Sequence, residues 1–231
     1  EGDDRPVCGV LGLVAGESKV MLAAFASPEL EVLGVTTVGG NVPLELTHRN
    51  ARMICDIAGV NVPVFAGCDR PMRRPLKTAE YIHGETGIDG IDVFEPATPL
   101  QPQHGVDFII ETLLAAEDDS ITLVPTGPLS NIGTVIDREP AVLPKSERIV
   151  LMGGAMREGG NRSPSAEFNV LVDPHAAAIV YEAGVPVTAM GLDVTHQVLS
   201  TRERVAHMRE LGNDVAAATA GIRFPGTRIA F

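Results

Sequence analysis

Six short apolar runs, rich in β-branched residues, recur along the chain: VCGVLGLVA (7–15), EVLGVTTV (31–38), VPVFAG (62–67), ITLVP (121–125), RIVLMGG (148–154) and VPVTAMGL (185–192). Most lack the apolar–polar alternation of a half-exposed strand and so predict strands covered on both faces. Between them lie segments of helical period with legible ends. SKVMLAAFA opens on Ser18, a capping hydroxyl, and PLELTHRNARMICDIAG runs from Pro43 to a stop at Gly59. HGVDFIIETLLAAE sets Val106, Ile109, Ile110, Leu113 and Leu114 on one face. DPHAAAIVYEAG has Asp173 as N-cap, Pro174 in the first helical position and Gly184 past its end, and STRERVAHMRELG follows the same plan. Strands alternating with helices predict an α/β fold, a mostly parallel open sheet with helices on both faces. No repeat or boundary divides the chain, so one domain over residues 1–231 is expected. Residues 68–103, rich in Pro and Gly, break the rhythm and predict a long insert without clear helix or strand.

Parallel sheets of this kind bind ligands outside the carboxyl ends of their strands. The residues just past each predicted strand are therefore the candidates: GGN (39–41), TGPLSN (126–131), EGGNRSPSAEFNVLVDP (158–174) and DVTHQ (193–197). Glu167 and Asn169 flank Phe168 immediately before an apolar run. An extended segment there puts the two polar side chains on one face and the Phe on the other. A carboxylate beside an amide can grip vicinal hydroxyls, since each accepts from an O–H and the amide also donates. The alternative, capping of the next helix, is already served by Asp173. Asn41 follows two glycines that let the backbone approach a ligand closely, though the same residues make an ordinary turn. His83, in YIHGETG, falls in the irregular insert, where a solvated loop histidine is the plainer reading. TGPLSN resembles the turn into a helix N-terminus. Neither GxGxxG nor GxxxxGK[ST] occurs, and His104, His175, His196 and His207 show no metal-ligand spacing.

Composition narrows the partners. With 18 Lys and Arg against 30 Asp and Glu, the net charge is −12. The one basic cluster, RPMRRP (70–75), is broken by proline, so neither nucleic acid nor a membrane surface is expected as a partner. Cys8, Cys55 and Cys68 are scattered without a CxxC, as in proteins of a reducing compartment. The apolar run over residues 7–16 is too short to cross a bilayer and is preceded by acidic residues, so the expected location is cytoplasmic.

Taken in order, SPELEVLGVTTVGGN, VPVFAGCDRPMRRPL, HGETGIDG, PTGPLSNI, IVLMGGA, GGNRSPSAEFNVLVDP and LDVTH resemble the nucleoside hydrolases of the inosine-uridine-preferring family, from about Val20 to Leu211. The resemblance implies a Rossmann-like fold and hydrolysis of the N-glycosidic bond of ribonucleosides to ribose and free base. It implies that Asn161, Glu167 and Asn169 hold ribose hydroxyls, with Phe168 among the substrate-binding residues. Asn41 then lies on the ribose side, His83 near the base and Met152 beside the sugar. The Thr126 carbonyl is implied as a ligand of calcium, the family's cofactor, which lowers the pKa of a bound water whose proton an Asp removes. The transition state is an oxocarbenium ion. Two departures stand out. The family's first strand ends in an Asp-rich turn, Asp-Thr-Asp-Pro-Gly-x-Asp-Asp, where this chain has VLGLVAGE (10–17) with only Glu17 acidic. The family also continues past the position of Phe231, supplying a His-Asp pair there. The expectation is a nucleoside hydrolase, or alternatively a relative that binds ribose or nucleosides without turnover, with no catalytic residue assigned. Homo-oligomers are expected, formed in the family's usual way or through apolar surface left by the short C-terminal part.

Overall fold

The structure is a computed structural model and describes residues 7–13 and 18–222. Strands β1 (Val7–Leu13), β2 (Leu30–Thr37), β3 (Val64–Ala66), β4 (Leu100–Gln101), β5 (Ile121–Pro125), β6 (Ser146–Met152) and β7 (Val187–Met190) form one sheet in the order β4-β3-β2-β1-β5-β6-β7. Every neighbouring pair is parallel. From β1 the chain winds outward through β2, β3 and β4, then returns to pair β5 directly with β1 and winds the other way. The winding therefore reverses between β1 and β5, and a crevice is expected outside their carboxyl ends.

Helices α1 (Ser18–Ala26), α2 (Leu44–Ala58), α3 (Glu80–His83), α4 (Gly105–Ala115), α5 (Ser130–Arg138), α6 (Phe168–Val172), α7 (Pro174–Glu182), α8 (Leu192–Thr195), α9 (Arg202–Glu210) and α10 (Asp214–Gly221) complete the order, with a 3-10 segment over Pro140–Lys145. With the sheet they make two large cores, beside a small cluster around Phe168. Val106, Ile109 and Leu113 of α4 pack with Ile121 and Leu123, α5, β6 and α7. Met21, Leu22, Val35, Ile54 and Val64 form the other, which Val124 joins from the next position of β5. Successive β5 residues thus bury apolar groups on opposite faces, which is why the run ITLVP shows no alternation. Each fully buried Ile or Leu here contributes roughly 1.5–3 kcal/mol by removal from water. Two glycines make the layers close. A Cβ on Gly34 would lie 2.6 Å from the ring of Phe108, which stacks on Phe65, and one on Gly133 would lie 2.7 Å from the Ala176 backbone.

The predicted strands are recovered within about two residues, residues 14–15 of the first lying outside the described residues. Helix stops follow the glycines. Gly59 is left-handed (φ 65°) and the Val60 N–H donates to Cys55 O, closing α2. Thr201, rather than Ser200, caps α9. The insert holds more structure than its composition predicts, namely α3 and the two-residue β4. It is also stapled to the body. Asp56 of α2 accepts from Ala97 N and Thr98 N, and Arg74 donates to Leu171 O at 3.0 Å. Among the described residues no helix is long and apolar enough to cross a membrane.

Candidate active site

The segment expected to be extended around Glu167 is instead a helix start. Glu167 itself is extended (φ −76°, ψ 151°), but α6 begins at Phe168, and the Glu167 side chain caps it. Its Oε1 accepts from Asn169 N at 2.9 Å, and Oε2 from Val170 N at 3.2 Å and from Gly154 N, just beyond β6, at 3.0 Å. Asn161 Oδ1 accepts from Phe168 N at 2.9 Å. Each free N–H of the first turn thereby gains a side-chain acceptor, which is what lets five residues with two β-branched members hold a helical turn. The strand-type alternation of side chains does not apply. Phe168 packs inward with Ala79, Val172 and Leu76, the last two regions drawn from α6 and the insert. The helix that Glu167 caps is α6, not the one that Asp173 opens.

Asn169 joins two strand ends. Its Nδ2 lies 3.3 Å from Thr126 O, directly after β5, and 3.1 Å from Met152 O at the end of β6, with Met152 Sδ at 3.2 Å. Asn41, Thr126, Glu167 and Asn169 are all buried, at 6%, 5%, 2% and 6% exposure. Burial pushes the Glu167 carboxyl up, against the opposing pull of the backbone N–H groups that favour its ionised form. Glu167, Asn169, Met152, Thr126, Asn161 and Phe168 thus form one connected group. Asn41 and His83 reach it through Ala79, whose N–H donates to Asn41 O at 2.8 Å, whose carbonyl accepts from His83 N at 3.1 Å, and whose side chain touches the Phe168 cluster. His83 is not the solvated loop residue of the plainer reading. It ends α3, and burial pushes its imidazole down to about 4.

The family model described as "Inosine-uridine preferring nucleoside hydrolase" matches residues 18–226, which include every residue of the group. The chain belongs to the inosine-uridine preferring nucleoside hydrolase family. It is 48% identical over 193 residues to the pyrimidine-specific ribonucleoside hydrolase RihB of Shigella flexneri, covering 83% of this chain and 61% of that protein. It is 45% identical over 200 residues to a Schizosaccharomyces pombe protein, covering 86% and 64%. Among solved structures, the purine-preferring ribonucleoside hydrolase from Gardnerella vaginalis superposes with a TM-score of 0.87 at 32% identity, over 93% of this chain and 70% of that one. The chain spans a little under two thirds of the length of the curated relatives it matches.

Membership of this family raises the question of a metal. Calcium takes six to eight oxygen ligands, several of them carboxylate. At the end of β5 the Thr126 carbonyl meets the Asn169 amide, and among the described residues no cluster of three or more His, Cys, Asp or Glu could hold a metal ion. The described donors do not by themselves fit calcium. Of the stretch matched to the acidic turn, 10–17, residues 10–13 close β1 and residues 14–17 fall outside the described residues.

Some positioning residues had little sequence signal. Asn131, at the start of α5, accepts from Cys68 N (2.8 Å) and donates to Thr37 O (3.0 Å), tying the insert to the end of β2 just before the Asn41 turn. Its signal was only the SN pair at a predicted helix start. Ala79 had none.

Proposed function

We propose that this chain binds a ribonucleoside through its ribose hydroxyls and hydrolyses the N-glycosidic bond, giving ribose and free base. The observation that carries the reading is the buried pair Glu167 and Asn169 at the carboxyl ends of β5 and β6, with the exposed Asn161 bonded to the start of their helix, in a chain of this family. A carboxylate offers about four lone-pair positions, and three N–H groups engage Glu167. Carboxylate oxygens accept more than one bond each, so Glu167 can also accept from a hydroxyl. Asn169 commits its N–H groups to the carbonyls of Thr126 and Met152, which turns its own carbonyl into the group it can offer to a second hydroxyl. Met152 and Phe168 supply apolar surface beside the sugar, Asn41 a further ribose contact, and His83 a neutral imidazole near the base. An imidazole lowered to about 4 stays uncharged at neutral pH and can both donate and accept.

A second reading, binding without turnover, is favoured by one sequence feature: VLGLVAGE at the end of the first strand carries one acidic residue where the family carries four. One assay separates the two. Ribose release from inosine and from uridine is followed as reducing sugar, with calcium in excess and a chelator control. Chelator-sensitive release supports the hydrolase and calcium together. Binding of either nucleoside by calorimetry with no release of ribose selects the second reading, and neither binding nor release defeats both. Base preference is read from the same pair of substrates.

We also infer self-association, through the exposed apolar side chains at and beyond β7, including Met190, Val198 and Leu199, each at least 40% exposed. A monomeric species in light scattering at micromolar concentration overturns it. A cytoplasmic location accords with free Cys55 and Cys68 and is checked by fractionation.

A further inference from the structure

The loop from Gly153 to Ala166 leaves β6 and delivers Asn161 and Glu167 to α6, yet its middle has no apolar anchor. Met156 is 94% exposed, and Arg157 and Glu158 are exposed as well. Its far half is held by its own turn and by Arg162 against Tyr81, and its near half from the end of β7. Gly153 N donates to Met190 O at 3.3 Å and Leu192 N to Gly154 O at 2.9 Å. Asp193 of α8 then takes three consecutive N–H groups on one carboxylate: Oδ2 accepts from Met156 N at 2.7 Å, and Oδ1 from Arg157 N at 2.8 Å and Glu158 N at 3.1 Å. His196, on the next turn, meets Glu158 Oε2 at 3.2 Å. Successive N–H groups curled round an anion make a strong anion cradle, and here the protein supplies the anion itself. Three residues further along, Asn161 makes its bond to Phe168 N.

We propose that Asp193 is a positioning residue for the nucleoside site, acting through the Met156–Glu158 backbone to hold Asn161 and Glu167 against α6. The proposal rests on the reading of that site as a ribose site, so its test has one arm that does not depend on activity. In Asp193→Asn the surviving carbonyl still accepts from Arg157 and Glu158, while the amide N–H₂ faces the Met156 N–H donor to donor. Asp193→Ala removes all three acceptances.

Amide hydrogen exchange is measured on the full chain. The expected result is faster exchange not only at Met156–Glu158 but also at Phe168, Asn169 and Val170, by about fivefold or more in the Ala variant and less in the Asn variant, with the α5 amides unchanged. A change confined to Met156–Glu158, or one spread evenly over the sheet, overturns the proposal. In the kinetic arm the KM for inosine or uridine rises about tenfold in the Ala variant with kcat little changed, and the Asn variant lies between. An unchanged KM overturns it. A wild-type chain that neither binds nor cleaves nucleoside defeats the site reading instead, and the exchange arm still decides whether Asp193 reaches α6.

Discussion

Glu167 and Asp173 each open a helix, each is an acid at an N-cap, and each is buried, at 2% and 0% exposure. Their partners differ. Asp173 gives Oδ1 to its own helix through Ala176 N at 3.1 Å, and Oδ2 to Ser130 Oγ at 2.7 Å and Met72 N at 2.8 Å. Those groups belong to α5 and to the insert, so Asp173 ties scaffold elements together and directs all its acceptance to them. Glu167 bonds its own short helix and Gly154, and its neighbour Asn169 reaches the strand ends at Thr126 and Met152. The comparison teaches that an acidic cap is a local device whose wider role is set by what surrounds it. At Asp173 the surroundings are protein on every side. At Glu167 they are loops at the carboxyl edge of the sheet.

The largest effect is expected from Asp173→Ala, which strands three donors in the interior. At about 1–3 kcal/mol for each unsatisfied group, the loss is on the order of 4 kcal/mol, measured by urea unfolding. A loss under about 1 kcal/mol breaks the scaffold half of the comparison. Glu167→Gln comes next. It keeps the shape of the side chain but halves its acceptor capacity, so nucleoside binding is expected to weaken by about 100-fold while stability falls by only about 1 kcal/mol. If binding survives and stability collapses, Glu167 is a second Asp173 and the ligand reading of α6 fails.

The smallest effects lie in pH. His83 refuses a proton until about pH 4 in the folded chain, against an ordinary 6.5. The unfolded chain therefore binds the extra proton between those values, and stability declines as pH falls from 6.5 towards 4. Replacing His83 with Gln is expected to flatten that slope in urea midpoints taken across the window, and an unchanged slope assigns it to other groups. Asp193 behaves as a depressed acid, held at about 2 by its three N–H donors against an ordinary 3.8. What it contributes is present above 3.8 and fades as pH falls towards 2, and the Asp193→Asn variant loses this lower step alone.

Much of the fold was legible because its physical causes are local. Runs such as ITLVP declare strands buried on both faces, Asp173 followed by Pro174 declares a helix start, and Gly59 declares a stop by taking the left-handed conformation. The residue types of the candidate site were legible too, as an unusual gathering of Asn and Glu after predicted strands. The conformation of that gathering was not. FNVLV reads equally well as extended chain, and it turns helical because acceptors arrive from Glu167 and from Asn161, while Gly154 fixes the capping carboxylate from across the loop.

By itself, then, the sequence determined the strand–helix alternation, the family and the list of polar groups, since these depend on periodicity, caps and residue chemistry. Only the tertiary structure decided which of those groups meet. The winding of the sheet places β5 beside β6, so that one amide, Asn169, touches both strand ends, and it places β7 beside β6, so that Asp193 can hold a loop far from it in the chain. Hydrogen bonds act over about 3 Å, and nothing short of the packed sheet brings such distant residues within that reach.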